Sequence, residues 1–197
     1  MRVSTSLRNA SLVLVLLGAF AAWLSGRNLA AQNSSSDTAA KLTADLQSRA
    51  KHYLDFRERV AGNAPRPTAT PAKITAAQRQ LADKVRVARA GARQGEVFTP
   101  EIAEYVRKQI ALSLDGRDGG HIRASLRHSE PVNMTLQINQ SYPDNVPLQS
   151  TPPSLLLSLP ELPAGLEYRL VGRELVLRDV DANIVVDYVA NALPDRK

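Results

Sequence analysis

Leu166-Glu167-Tyr168-Arg169-Leu170-Val171, then Gly172-Arg173, then Glu174-Leu175-Val176-Leu177-Arg178 is the stretch that decides the fold. Leu166, Tyr168 and Leu170 alternate with Glu167 and Arg169, the period of a strand buried on one face. Leu175 and Leu177 offer the matching face on the next run. Two residues separate the runs, and a glycine in the first of them supplies the positive φ of a type II′ hairpin turn. Asp179 to Asn183 reads as a second turn, with Asp179 and Asp181 as turn formers. Ile184-Val185-Val186-Asp187-Tyr188-Val189 reads as a third strand, facing inward through either Val185 and Val189 or Ile184, Val186 and Tyr188. The result is a three-strand antiparallel meander. Glu167, Arg169, Glu174, Arg178 and Asp187 are expected on outward faces, where cross-strand ion pairs form.

Upstream, Val132, Met134, Leu136 and Ile138 alternate with Asn133, Thr135, Gln137 and Asn139, which predicts a further half-buried strand. Residues 141–153 hold four prolines and read as irregular, and residues 154–159 as one helical turn. Before Pro131 the apolar spacing is helical. One amphipathic helix, capped by Ser36 or Asp37, carries Ala39, Leu42, Leu46, Ala50, Tyr53, Phe56 and Val60 on one face and stops at Gly62. A second starts near Thr70-Pro71 or Thr75, with Ile74, Ala77, Leu81, Val85, Ala88 and Ala92 on one face and Gly95 past its end. A third starts at Thr99-Pro100-Glu101, carries Ile102, Val106 and Ile110, and closes at Asp115-Gly116. A short fourth holds Ile122 and Leu126. Helices followed by strands predict an α+β fold, N-terminal amphipathic helices leading to a small antiparallel sheet.

The N-terminus reads as an export signal. Arg2 and Arg8 precede an uncharged run of 15 residues, Ala10 to Leu24, shorter than the roughly 20 residues of a spanning helix. Small and polar residues follow, and cleavage is expected near Ala31 or Gln32. Gln32 stands where a lipoprotein signal has its cysteine, so no lipid anchor is expected; a retained signal acting as a membrane anchor is the alternative. The expected organisation is a signal over 1–32, an N-terminal helix over 33–63, a Pro-rich linker over 64–71 and an α+β domain over 72–197, with helices over 72–128 and sheet over 131–190.

Composition narrows the function. The chain has 197 residues, no cysteine, and 25 Lys and Arg against 19 Asp and Glu. Absence of cysteine excludes disulfides, thiolate metal sites and cysteine nucleophiles, and in an exported chain it points to a bacterial periplasm. Arg2, Arg8 and Arg27 lie in the signal, leaving 22 cations against 19 anions. They are unevenly placed: residues 33–128 hold 17 cations and 10 anions, residues 129–197 hold 5 and 9.

No residue pattern carries catalysis or a cofactor. His121 and His128 would lie about 10 Å apart on a helix, too far to share one ion. His52 stands alone, and 115–120 lacks the alternating oxygens of a calcium loop. There is no Gly-x-Ser-x-Gly elbow and no phosphate-cradling glycine loop. The positive signal is basic. Arg79, Arg86, Arg89 and Arg93 cluster on one flank of the second helix, with Lys73 and Lys84 on the other. Such a flank suits anionic lipid, lipopolysaccharide or an acidic envelope protein, while arginine stems lying over the core are the structural alternative. Nucleic acid is not expected, given export and the lack of aromatic stacking platforms; oligomeric state stays open.

Leu159-Pro160-Glu161-Leu162-Pro163, Leu166 to Asp179, Ala182-Asn183-Ile184-Val185-Val186-Asp187 and, upstream, Gly95-Glu96-Val97-Phe98-Thr99-Pro100-Glu101 resemble segments of a family of uncharacterised exported bacterial proteins. The resemblance implies export and one compact unit, and no activity. The Pro-rich lead into Tyr168-Arg169-Leu170-Val171-Gly172 is also similar to periplasmic nickel/cobalt homeostasis proteins, which implies a metal accessory role, though no histidine lies within it. The expectation is an exported, non-enzymatic, cofactor-free protein that binds a protein partner or an anionic envelope component. A periplasmic metal-homeostasis accessory is the alternative, and a hydrolase the second.

Overall fold

The hairpin forms where the alternation places it. In the computed structural model, which describes residues 10–62, 70–128, 134–142 and 151–194 with side chains from residue 35 onward, β1 (Leu166–Val171), β2 (Glu174–Asp179) and β3 (Ile184–Val189) make one antiparallel sheet in the order β1-β2-β3. Val171 pairs with Glu174 across a two-residue turn. Gly172 has φ of 59° and Arg173 is not among the positive-φ residues, as a type II′ turn requires.

The third strand follows neither inward alternation along its whole length. The β2–β3 register shifts between Leu177 and Arg178: Leu177 pairs with Asp187, but Arg178 pairs with Val185. The extra residue, Val186, belongs to the same core cluster as Leu175, Leu177 and Val189, while Val185 packs on the opposite face with Val171 and Val176. A bulge thus switches the phase of the strand.

The helices are α1 (Ala10–Ala61), α2 (Pro71–Ala88), α3 (Pro100–Asp115), α4 (Gly119–His128) and α5 (Pro153–Leu156). α1 is already helical at Ala10, so Ser36 and Asp37 lie inside it and not at its start. Residues 1–41 and 42–197 form separate compact units. The last five turns of α1 therefore belong to the same compact unit as the sheet. Leu46, Ala50 and Tyr53 enter its core beside Ile102, Val106 and Ile110 of α3 and Leu170, Leu175 and Leu177 of the sheet. Each such aliphatic side chain contributes about 1.5–3 kcal/mol by leaving water. Thr99 caps α3, its hydroxyl accepting from the Ile102 amide at 3.4 Å.

Over its described part, residues 134–139, the alternation does not become a strand. Residues 134–137 carry no regular structure, and Met134 and Leu136 face the sheet while Thr135 and Gln137 are exposed. The next residues reach β3 instead: the Asn139 amide donates to the Val185 carbonyl, the Val185 amide to that of Gln140, and the Tyr142 amide to that of Asn183. Asn139 at φ 64° bends the chain here, so pairing shrinks to a single bridge, Ser141 with Ile184. Residues 129–133 and 143–150 lie outside the described residues, as does the Pro-rich segment 63–69.

The α3–α4 corner supplies a sharp test. A Cβ on Gly119 would lie 1.7 Å from the Leu114 carbonyl oxygen, whereas Gly120 has nothing within 4 Å. Gly119→Ala is expected to destabilise by about 3 kcal/mol, because backbone must move. Gly120→Ala is expected to stabilise by about 0.5 kcal/mol through helix propensity. Urea melts of the pair check this, and equal midpoints would contradict the tight corner.

Candidate functional site

The buried face of α2 is rotated from its expected one. Ala82 and Val85 are buried with Leu81 beside them, while Ile74 is 39% exposed and Val87 80%. The rotation carries Arg86 and Arg89 inward. Arg86 donates from Nε to the Asn139 carbonyl at 3.0 Å, and its other nitrogens reach Asp83 and the Ser141 hydroxyl. Arg89 is 8% exposed. It donates to Asn139 Oδ1 and Glu96 Oε2, both at 2.9 Å, and lies 5.0 Å from the Tyr53 ring centroid. Arg79 and Arg93 remain at the surface, Arg93 with its amide on Glu96. The four arginines therefore do not form one exposed flank: two fasten segment 139–141 to the helix, and two face solvent.

Segment 139–142 joins this helix to the outer face of the sheet. Tyr142 is buried, its carbonyl accepts from Asn183 Nδ2 at 2.9 Å, and the Arg178 guanidinium lies 5.6 Å over its ring. Arg178 donates from Nε and Nη2 to Asn183 Oδ1 at 2.9 and 2.7 Å. It also reaches Glu167, which receives Arg169 through both oxygens at 2.7 and 2.6 Å. Arg178 with Glu167 is a cross-strand pair of the kind expected on the outer face, Arg169 with Glu167 lies within β1, and both are half-buried. Burial pushes the Glu167 carboxyl up, and the two arginines outweigh it, holding the group below the usual carboxylate range. Burial pushes the Tyr142 hydroxyl up while the charges of Arg169 and Arg178 pull it back.

Between α2 and this network lies a cleft of about 120 Å³ lined by Thr75, Gln78, Arg79, Ser141, Tyr142, Ala182 and Asn183. Its lining holds one arginine, five neutral hydrogen-bonding side chains and no carboxylate. The sequence placed Arg79 on an anion-facing surface, but Ser141 and Tyr142 fell in a stretch read as irregular. Only their chemistry, not their spacing, could have marked them.

Two buried carboxylates run against expectation. Asp187, expected outward, is 0% exposed, and so is Asp179, expected as a turn former. Asp187 Oδ1 accepts from the amides of Gly95 and Tyr188, and Oδ2 from those of Val97 and Phe98, all at 2.8 to 3.0 Å. Asp179 accepts from the Tyr53 hydroxyl at 2.7 Å, from Arg57 at 3.1 Å, and from the amides of Asp181 and Ala182. Both anchor loops. A lone carboxylate in the otherwise apolar run Ile184 to Val189 was the available signal for Asp187.

His52, His121 and His128 are exposed. Among the described residues no three carboxylates or histidines gather as metal ligands, and no helix is long and apolar enough to cross a membrane. Comparison with known proteins finds no matching family model, no matching curated protein and no matching solved structure. Fold and site together define an α+β chain with a polar, acid-free cleft beside its sheet.

Proposed function

We propose that the chain is an exported, non-enzymatic protein that binds an anionic component of the bacterial envelope, lipid or acidic protein. One observation supports this most. Arg79 and Arg93 are exposed and the cleft between α2 and the sheet has no carboxylate in its lining, whereas both fully buried carboxylates are committed to holding loops. A surface with surplus positive charge attracts anions at long range, and the attraction falls with salt. The signal-like residues 1–32 supply the route out of the cytoplasm.

The reading has two measurements. The native protein, isolated from envelope and soluble fractions, is expected to show by intact mass an N-terminus near Gln32 or Asn33; Met1 retained on cytoplasmic protein overturns export. The mature chain is expected to sediment with phosphatidylglycerol-containing vesicles at low salt and to release as salt rises. Arg79→Gln with Arg93→Gln is expected to weaken this about ten- to thirtyfold, on the scale of about 1 kcal/mol per basic residue at a surface. Arg86 and Arg89 are left in place because their replacement would loosen segment 139–141. Binding that ignores both salt and the double variant overturns the anionic-surface reading.

A further inference from the structure

α4 carries His121, Arg123, Arg127 and His128, and no acid. All four side chains are exposed. The apolar positions set the helix this way: Gly119 and Ile122 are buried and Leu126 packs on the core, so the opposite side faces outward. His121, Ala124 and His128 follow at steps of three and four residues and form the ridge of that outer side. The two imidazoles stand about 10 Å apart along it. Arg123 donates to the Leu114 carbonyl and closes the end of α3. His121, Arg127 and His128 make no hydrogen bond or ion pair among the described residues.

The surroundings add little negative charge. α4 packs on α3, whose charged groups are Glu101, Glu104, Arg107, Lys108 and Asp115. Glu104 is held by Arg107, and Glu101 lies in the first turn of α3, at the far end from α4. In the connection Arg117 stands between Asp115 and Asp118, all three exposed. Asp118, three residues before His121, is the nearest acid in sequence, and no ion pair joins the two. A helix side with cations and no acid has nothing to offer the bases of a protein partner. Anionic headgroups present acceptors in any register, and a convex helix meets a flat bilayer without needing a groove. Histidine is the side chain whose charge changes between about pH 5 and 8, so the ridge gains positive charge in acid while Arg127 stays constant.

We propose that the outer side of α4 is an acid-strengthened docking surface for an anionic lipid bilayer, with the His121–His128 ridge and Arg127 on the headgroups. The proposal rests on the anionic-component reading above and names lipid as that component. It adds acidity as the regulator, on a different helix from Arg79 and Arg93.

The mature chain is sedimented with phosphatidylglycerol–phosphatidylcholine vesicles at fixed low salt, at about pH 5.5 and about pH 7.5. Wild type is expected to bind about ten- to thirtyfold tighter at the lower pH, the gain of two charges at a surface. His121→Gln with His128→Gln is expected to cut that ratio to about threefold or less. Its thermal midpoint should match that of wild type, because both side chains are exposed and unpaired. Arg127→Gln is expected to weaken binding about fivefold at both pH values and to preserve the ratio. Equal wild-type affinity at the two pH values, a histidine variant that keeps the full ratio, or equal binding to pure phosphatidylcholine vesicles overturns the surface. Binding to polyglutamate without binding to vesicles overturns the bilayer as the partner. The anionic-surface reading is judged separately, because Arg79→Gln with Arg93→Gln lowers affinity without touching the ratio. A flat ratio with that loss removes α4 and leaves the reading standing. A histidine-dependent ratio without that loss removes Arg79 and Arg93 and leaves α4 standing.

Discussion

Asp187→Asn is expected to destabilise the chain by about 3 kcal/mol and Asp187→Ala by about 4 kcal/mol, although the residue contacts no cation in its shell of hydrogen bonds. The reason is geometric. Each carboxylate oxygen accepts two backbone amides, from Gly95 and Tyr188 on one side and from Val97 and Phe98 on the other. Asparagine turns one acceptor into a donor that faces two N–H groups, and alanine leaves all four amides without this partner. A buried unpaired amide carries its full desolvation penalty. Gly95 contributes a second constraint, since at φ 94° it lets the loop turn its amide inward. The loop in question leads directly into Thr99 and α3, so its release should loosen the start of that helix. Urea melts measure the loss, and hydrogen exchange should speed first at the amides of Gly95, Val97 and Phe98. The pH dependence has a definite sign. Burial pushes the Asp187 carboxyl above the ordinary range, with the four amides holding it back. The folded state then binds this proton more tightly than the unfolded chain, so the contribution of the group to stability falls as pH rises from the unfolded to the folded pKa. Asp187→Asn removes that slope. A variant as stable as wild type would show that the four amides find water or other partners.

The meander was legible because every local signal agreed: the period of two at Leu166, Tyr168 and Leu170, a two-residue gap, and a glycine where φ of 59° is needed. What failed has one physical root: a change of phase. The extra residue in β3, Val186, turns Val185 to the outer face, while Asp187 stays opposite Leu177 on the face of Val189, and no composition signal marks a bulge in six residues that are nearly all apolar. The rotation of α2 is similar. Reading Ile74 and Ala88 as buried kept the arginines outside, whereas contact with Ile184 and Ala182 sets the real face at Ala82 and Val85 and draws Arg89 in. Met134 and Leu136 kept their alternation without pairing, since inward apolar contact is satisfied by packing on Val171 and Val176 and needs no ladder. Arg79 alone of the four flank arginines lines the cleft. Its companions there, Ser141 and Tyr142, depend on where segment 139–142 meets β3, a long-range fact that local pattern does not encode.

Asp179→Ala is expected to destabilise by about 4 kcal/mol, and the case rests on what the carboxylate ties together. Four donors from two distant parts of the chain converge on it: the Tyr53 hydroxyl and Arg57 from α1, and the amides of Asp181 and Ala182 from the β2–β3 turn. Arg57, 12% exposed at its side chain, also bonds Asp181 at 2.7 Å, so one guanidinium spans both acids of the turn. Removing Asp179 leaves a buried hydroxyl unpaired and a nearly buried arginine with only the exposed partner, a loss in the range of breaking a buried ion pair. Tyr53→Phe removes a single hydrogen bond to a charged acceptor and should cost about 1.5–3 kcal/mol. Burial and the Asp179 charge hold the Tyr53 hydroxyl far above its ordinary range, so it stays a donor at all accessible pH. Asp179→Asn retains one acceptor oxygen and should fall between the two. The double-mutant cycle of Tyr53→Phe with Asp179→Asn then reads their coupling directly, expected at about 1–2 kcal/mol because the residues touch. Strict additivity would mean that the hydroxyl and the carboxylate act independently. In that event the Tyr53 hydroxyl would add nothing to the anchor, and α1 would be held to the sheet by Arg57 on the two acids of the turn and by apolar contacts such as those of Leu46, Ala50 and the Tyr53 ring.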